Sequence, residues 1–143
     1  MRARMIALIL AAAAMVLPAC ADVSKAKEET HEPAEMVAVE GSDQEGIAVE
    51  TEAIERLGIE TASVEAGVKA GRTTVPAAAV YYGLEGETWT YTELDEHTYL
   101  RVPITVEDID GDTASLLDGP EVGTQVVVVG AAELFGVEEG VGH

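Results

Sequence analysis

From residue 78 to residue 129 the chain is interrupted by turn signals roughly every eight to twelve residues, which leaves room between them only for short strands. Gly83-Leu84-Glu85-Gly86 carries a glycine at each end, Asp95-Glu96-His97 is polar throughout, Asp110-Gly111 is a strong turn dipeptide, and residues 119–123 turn again. Residues 87–94 alternate strictly, with Trp89 and Tyr91 on one face and Thr88, Thr90 and Thr92 on the other. Residues 99–106 are read as one strand with Leu100, Val102, Ile104 and Val106 inward and Tyr99, Arg101 and Thr105 outward. Pro103 on the outward side marks an edge or a bulge. Short strands at 78–82 and 113–117 and a fully buried strand at 125–129 complete a meander. The expected fold is mainly β, a small antiparallel barrel or roll with one or two short helical turns.

The helical turns lie outside the meander. Residues 51–57 (TEAIERL) open with Thr and acids and stop before Gly58, and residues 131–135 form another short turn. Residues 59–64 alternate weakly as a strand, and Gly67 and Gly71 bracket a loop. Only six aromatic residues are present, one Trp, four Tyr and one Phe. A core this poor in rings needs Trp89 and Tyr91 inside it, rather than on an exposed stacking platform.

The N-terminal segment has a different grammar. Arg2 and Arg4 precede an unbroken apolar run from Ile6 to Leu17, which is too short to span a bilayer core needing about 20 helical residues. The run ends Leu17-Pro18-Ala19-Cys20, and Cys20 is the only cysteine. This resembles a bacterial lipobox, with Pro18 as a departure, so residues 1–19 are expected to be a lipoprotein signal peptide and Cys20 the lipidated N-terminus. An ordinary signal cut after Ala19-Cys20-Ala21 is the alternative. Residues 20–45, acidic and poor in apolar side chains, are expected to be a disordered tether, and residues 46–140 the folded domain. His31 and Met36, five residues apart in that tether, make a poor metal site. The expected location is export, with a lipid anchor in the cell membrane.

Charge narrows the partners. The chain carries 27 acidic and 8 basic residues, a formal charge of −19, which loss of Arg2 and Arg4 with the signal takes to −21. Such a surface repels nucleic acid and anionic headgroups and favours cations or basic partners.

Catalytic and metal motifs are weak. Asp108, Asp110 and Asp112 match the opening of a calcium loop, but the glycine is at 111 and Gly119 stands where the bidentate Glu belongs, so a β-turn is the better account. His97 sits in a polar turn, and neither Ser63 nor Ser115 lies in a nucleophile elbow. The reading is a protein without catalytic residues, metal or cofactor.

The runs Val75-Pro76-Ala77-Ala78-Ala79-Val80-Tyr81, Thr88-Trp89-Thr90-Tyr91 and Tyr99-Leu100-Arg101-Val102-Pro103-Ile104-Thr105-Val106 resemble the last part of periplasmic adaptor subunits. These are the membrane-fusion proteins of RND-type efflux pumps, with the heavy-metal branch nearest. Residues 117–134 are similar to the family's closing strand and turn, although Pro120 and Thr124 depart from the usual Leu and Asp. Residues 53–64 are similar to the segment that opens such adaptors. About ten residues separate Val64 from Thr74, where the family inserts a lipoyl-like domain, an α-hairpin and a β-barrel. The resemblance therefore implies the membrane-proximal domain alone, which in the family is built from both chain ends and packs on an inner-membrane transporter. It implies a lipid-anchored accessory module that docks on a transporter or its adaptor. Tyr99, Arg101 and Thr105 are the docking candidates from alternation. A stand-alone lipoprotein binding a cation or small ligand is the alternative.

Overall fold

The computed structural model describes residues 33–140. Its elements in chain order are β1 (Ala34–Ala38), β2 (Glu45–Val49), α1 (Thr51–Leu57), β3 (Glu60–Ser63), β4 (Glu65–Ala66), β5 (Thr73–Pro76), a 3-10 turn at Ala77–Ala79, β6 (Tyr81–Tyr82), β7 (Thr88–Asp95), β8 (Thr98–Pro103), β9 (Thr105–Asp110), β10 (Thr113–Asp118), β11 (Gln125–Val129) and α2 (Ala131–Glu138). The fold is mainly β and antiparallel, as the spacing of turns requires.

The strands do not close into a barrel. They form two sheets, one ordered β1-β2-β8-β7-β11-β3 with β6 also pairing β7, the other ordered β4-β5-β10-β9. The expected single strand at 99–106 is in fact two. β8 ends at Pro103, which has no N–H for a ladder, and the chain passes through buried Ile104 into β9 of the other sheet. Each sheet therefore keeps open edges where a barrel would have none.

The larger sheet carries a core on each face. On one face Ile47, Val49, Trp89, Tyr91, Tyr99 and Val127 pack with Ala53 of α1 and with Ala131 and Leu134 of α2. On the other, Val126 joins Val64, Val75, Val80, Ile104, Ala114 and Leu116, a wholly aliphatic cluster between the two sheets. Side chains alternate across a strand, so neighbours Val126 and Val127 serve opposite cores and both are fully buried. This is why β11 reads as a continuous apolar run at its centre. The same logic buries Thr90 and Thr92, which sequence alternation put opposite Trp89 and Tyr91.

α1 ends as expected. Gly58 takes φ 65°, and its N–H donates to the Ile54 carbonyl, closing the last turn in the left-handed conformation that glycine adopts without strain.

The tether reading is corrected for its last part. Residues 34–45 are not disordered: β1 and β2 pair as an antiparallel hairpin from Ala34↔Val49 to Ala38↔Glu45, and β2 extends the larger sheet by pairing with β8. The alternation of Val37 and Val39 was too brief to signal a strand, but β8 presents an edge on which β2 and then β1 assemble. The signal peptide, Cys20, His31 and residues 20–32 of the expected tether lie outside the described residues. No described helix is long and apolar enough to cross a membrane.

Candidate functional site

The residues expected to face outward for docking divide three ways. Tyr99 is buried at 2 % exposure, because the face of the larger sheet that carries it is covered by the helices. The assignment of Tyr99 as an exposed partner-binding residue is therefore wrong. Alternation separates Tyr99 from Leu100 and Val102 correctly, but the face that carries Tyr99 is a second core rather than a solvent face.

Arg101 lies on that same helix-covered face and is engaged within the domain. Its Nε sits 3.3 Å from Glu138 Oε1 at the end of α2, and its guanidinium lies 5.5 Å from the centre of the Trp89 ring. Tyr91 donates its hydroxyl to the other Glu138 oxygen at 2.6 Å. Trp89 in turn stacks with Tyr81 (5.0 Å, 21°) and with Phe135 of α2 (5.8 Å, 22°) and meets Tyr91 edge-on at 5.2 Å. One carboxylate and one ring thus clamp α2 onto the sheet. Burial, and then the Glu138 carboxylate beside it, push the Tyr91 phenol far above its ordinary range, so it stays a donor at every physiological pH. This assembly ties Tyr91, Arg101 and Glu138 to one another within the domain.

Thr105 alone of the three is exposed, and it opens a different region. Where the chain crosses between sheets, Thr88, Pro103, Thr105, Val106, Ile109 and Tyr82 border an open groove of about 600 Å³, floored by Ile104. Tyr82 is 62 % exposed and Ile109 41 %, so the groove shows water a tyrosine ring and a branched aliphatic side chain. At the neighbouring turn Leu84 is fully exposed. The sequence did not single out Tyr82 or Ile109. Ile109 sits among Glu107, Asp108 and Asp110, and an apolar residue embedded in acids was the one available signal.

The opposite side of β9 is polar. A concavity of about 340 Å³ there is lined by Lys69, Arg72, Thr74, Asp108, Asp110 and Ser115, among others. Lys69 Nζ donates to Glu107 Oε1 at 3.1 Å and Arg72 Nε to Glu107 Oε2 at 3.2 Å, so the β4–β5 loop is tied to β9. The hydrogen bond from Lys69, reinforced by Arg72, holds the Glu107 carboxyl below its usual range. Asp108 and Asp110 have no ion-pair partner among the described residues.

Asp110 and Thr113 close the β9–β10 hairpin across Gly111 at φ 58°, the turn that the Asp-Gly dipeptide predicts. Among the described residues no cluster of three His, Cys, Asp or Glu side chains is arranged to hold a metal. His97 takes φ 69° in the β7–β8 turn, and its Nδ1 lies 3.4 Å from the Thr51 hydroxyl.

No protein-family model, curated protein or solved structure matches this chain.

Proposed function

We propose that this protein is a lipid-anchored, non-catalytic accessory module that docks on a transmembrane efflux transporter or on its periplasmic adaptor. One observation supports the reading most. The two stretches that resemble adaptor ends, 53–64 and 117–134, lie side by side. β3 pairs antiparallel with β11 through Gln125↔Ser63, Val126↔Ala62 and Val127↔Thr61. Val64 and residues 123–124 continue the ladder, with Val64 N–H donating to the Thr124 carbonyl at 2.8 Å and Gly123 N–H to the Val64 carbonyl at 2.9 Å. Gly130 packs directly on Ile59: a Cβ there would stand 2.7 Å from Ile59 Cγ1.

Between Val64 and the next adaptor-like run, which begins at Val75, the chain has only the β4–β5 hairpin, paired through Glu65↔Thr74 and Ala66↔Thr73. A domain assembled from the two flanks of a short hairpin is what an adaptor reduced to its membrane-proximal part would form. The reach needed to bridge two membranes is absent from that hairpin, so the action is local: binding, not transport or catalysis. Cys20 and the acidic residues after it would hold such a domain within a short distance of the membrane.

Fractionation tests the anchor. Cys20→Ala is expected to move the protein from membranes to the soluble fraction, and unchanged membrane association contradicts the lipid anchor. Mild-detergent isolation of the full-length protein tests docking. It is expected to bring a transmembrane transporter or an adaptor in stoichiometric amount, and isolation of the anchored protein alone contradicts the reading.

A further inference from the structure

We infer that the free edge of β9 is the docking surface, and that its occupant is an extended partner segment in which basic and apolar residues alternate. The inference rests on the docking reading above for the existence of a partner, and adds which surface and what chemistry.

β9 ends the smaller sheet, paired on one side with β10 only. At six residues it exceeds the other sheet-end strands, β1, β3 and β4. An edge strand presents unpaired backbone N–H and C=O groups, to which an added strand can hydrogen bond. What distinguishes β9 is that its two faces differ in kind. Val106 and Ile109, opposite Leu116 and Ala114, face the groove with Tyr82 and Pro103, and Glu87, Thr88 and Thr105 also line it. Asp108 and Asp110, opposite Ser115 and Thr113, face the polar concavity. Glu107 is the extra residue of a bulge between them and is occupied by Lys69 and Arg72.

A strand laid along β9 sends successive side chains to alternate faces. Every second residue then enters the groove, where an apolar side chain covers Ile109 and the Tyr82 ring. The residues between reach Asp108 and Asp110, where a Lys or Arg finds two carboxylates that lack ion pairs. Charge complementarity decides against the competing occupant. A second copy of β9 would bring its own Asp108 and Asp110 against these, and like charges across a strand pair are destabilising. The same acids attract a basic segment, in keeping with a chain of 27 acids and 8 bases.

The test uses the full chain with Cys20→Ser in solution and a blocked ten-residue peptide alternating Val and Lys. Two peptide controls are a scrambled sequence of the same composition and an alternating peptide N-methylated on the amides of one edge. The alternating peptide is expected to bind, to protect the amides of β9 from hydrogen exchange, and to weaken with added salt. Ile109→Glu, at an exposed position, and Asp108→Lys with Asp110→Lys are each expected to weaken binding about tenfold or more, roughly 1.4 kcal/mol. Equal binding of the scrambled or N-methylated peptide would show general attraction to an acidic surface and overturn the inference. So would protection confined to β1, or sedimentation of the free protein as a dimer through β9.

The two readings fail separately. If a transporter or adaptor co-purifies equally with the wild type and with Ile109→Glu, docking stands and the β9 site falls. If the peptide binds β9 as expected but no transporter or adaptor co-purifies, the site stands and the docking reading falls.

Discussion

The two sides of the larger sheet are built from the same strands yet finish differently. On the helix side, Trp89, Tyr91, Tyr99 and Tyr81 gather most of the chain's aromatic surface, and α2 seals it with Phe135 and the Glu138 carboxylate. Tyr91 and Arg101 share the Glu138 carboxylate there. On the other side the apolar core is Val, Ile, Leu and Ala, with Thr90 and Thr92 buried on the same face, and the second sheet that covers it stops at an open edge, β9, flanked by an exposed groove. The closed side uses its aromatic and charged groups for cohesion. The open side leaves Ile109, Tyr82, Asp108 and Asp110 available. The general lesson is that side chains suited to recognition, such as an arginine on a tryptophan, can be wholly consumed by packing one helix.

Substitutions in the two cores give the largest expected effects and test whether they bear stability alike. Trp89→Ala removes the ring that Tyr81, Phe135 and Arg101 all contact and is expected to destabilise by about 3–5 kcal/mol in urea unfolding. Leu116→Ala in the aliphatic core is expected to cost about 2–4 kcal/mol. A loss on Trp89→Ala below that on Leu116→Ala would reverse the ranking of the two sides.

Next in size is the clamp. Glu138→Ala leaves the Tyr91 hydroxyl and Arg101 without their shared carboxylate and is expected to cost about 1–3 kcal/mol, with a change in the near-ultraviolet circular dichroism of Trp89. An unchanged unfolding midpoint would mean that α2 is held by apolar contacts alone.

Alkaline pH separates the sides without mutation. Tyr81, Tyr91 and Tyr99 all face the helix side, and burial pushes each phenol above its ordinary value of 10.0. For Tyr99, burial and then the Glu93 charge push it up to about 12. The fold holds these phenols neutral, whereas the unfolded chain ionises near 10. Their contribution is therefore complete below pH 10 and is lost as pH climbs towards 12. Phenolate absorbance and loss of the aromatic dichroism are expected to rise together in that window. Ionisation of all tyrosines with the dichroism intact would contradict the packing of the helix side.

The smallest effect is expected at Thr90. Its hydroxyl is buried and lacks a hydrogen-bond partner, while Thr88 and Thr92 on the same face donate to the carbonyls of Ile104 and Leu100. Thr90→Val is expected to leave stability unchanged or raise it by up to about 1 kcal/mol, measured by the urea midpoint. A loss comparable to Leu116→Ala would show that the hydroxyl has a partner.

Much of this was legible in the chain. The glycine and Asp-Gly turns set the meander, Gly58 ended α1, and the scarcity of rings put Trp89 and Tyr91 inside. What failed lay beyond the reach of alternation, which sorts side chains to two faces without saying that both are covered, as they are around Tyr99. Nor does it see the chain change sheets at Ile104, where the barrel expected from one continuous meander became two sheets. β1 and β5 were missed for a second reason. Short strands rich in Ala, Glu and Thr form because an adjacent strand offers an edge, and that partner is remote in sequence. The open groove was hidden for the same reason, since Tyr82 and Ile109 meet only after both sheets are in place.

Site-specific photo-crosslinking in intact cells tests the claim that the open side docks on a transport protein. A photoreactive phenylalanine is placed in the full-length protein at Tyr82 or Ile109 on the open side, and at Glu133 on α2 on the closed side. The expected result is an adduct with a transmembrane transporter or its adaptor from positions 82 and 109 and none from position 133. Adducts from Glu133 alone, or no adduct with a transport protein from either open-side position, would contradict the account.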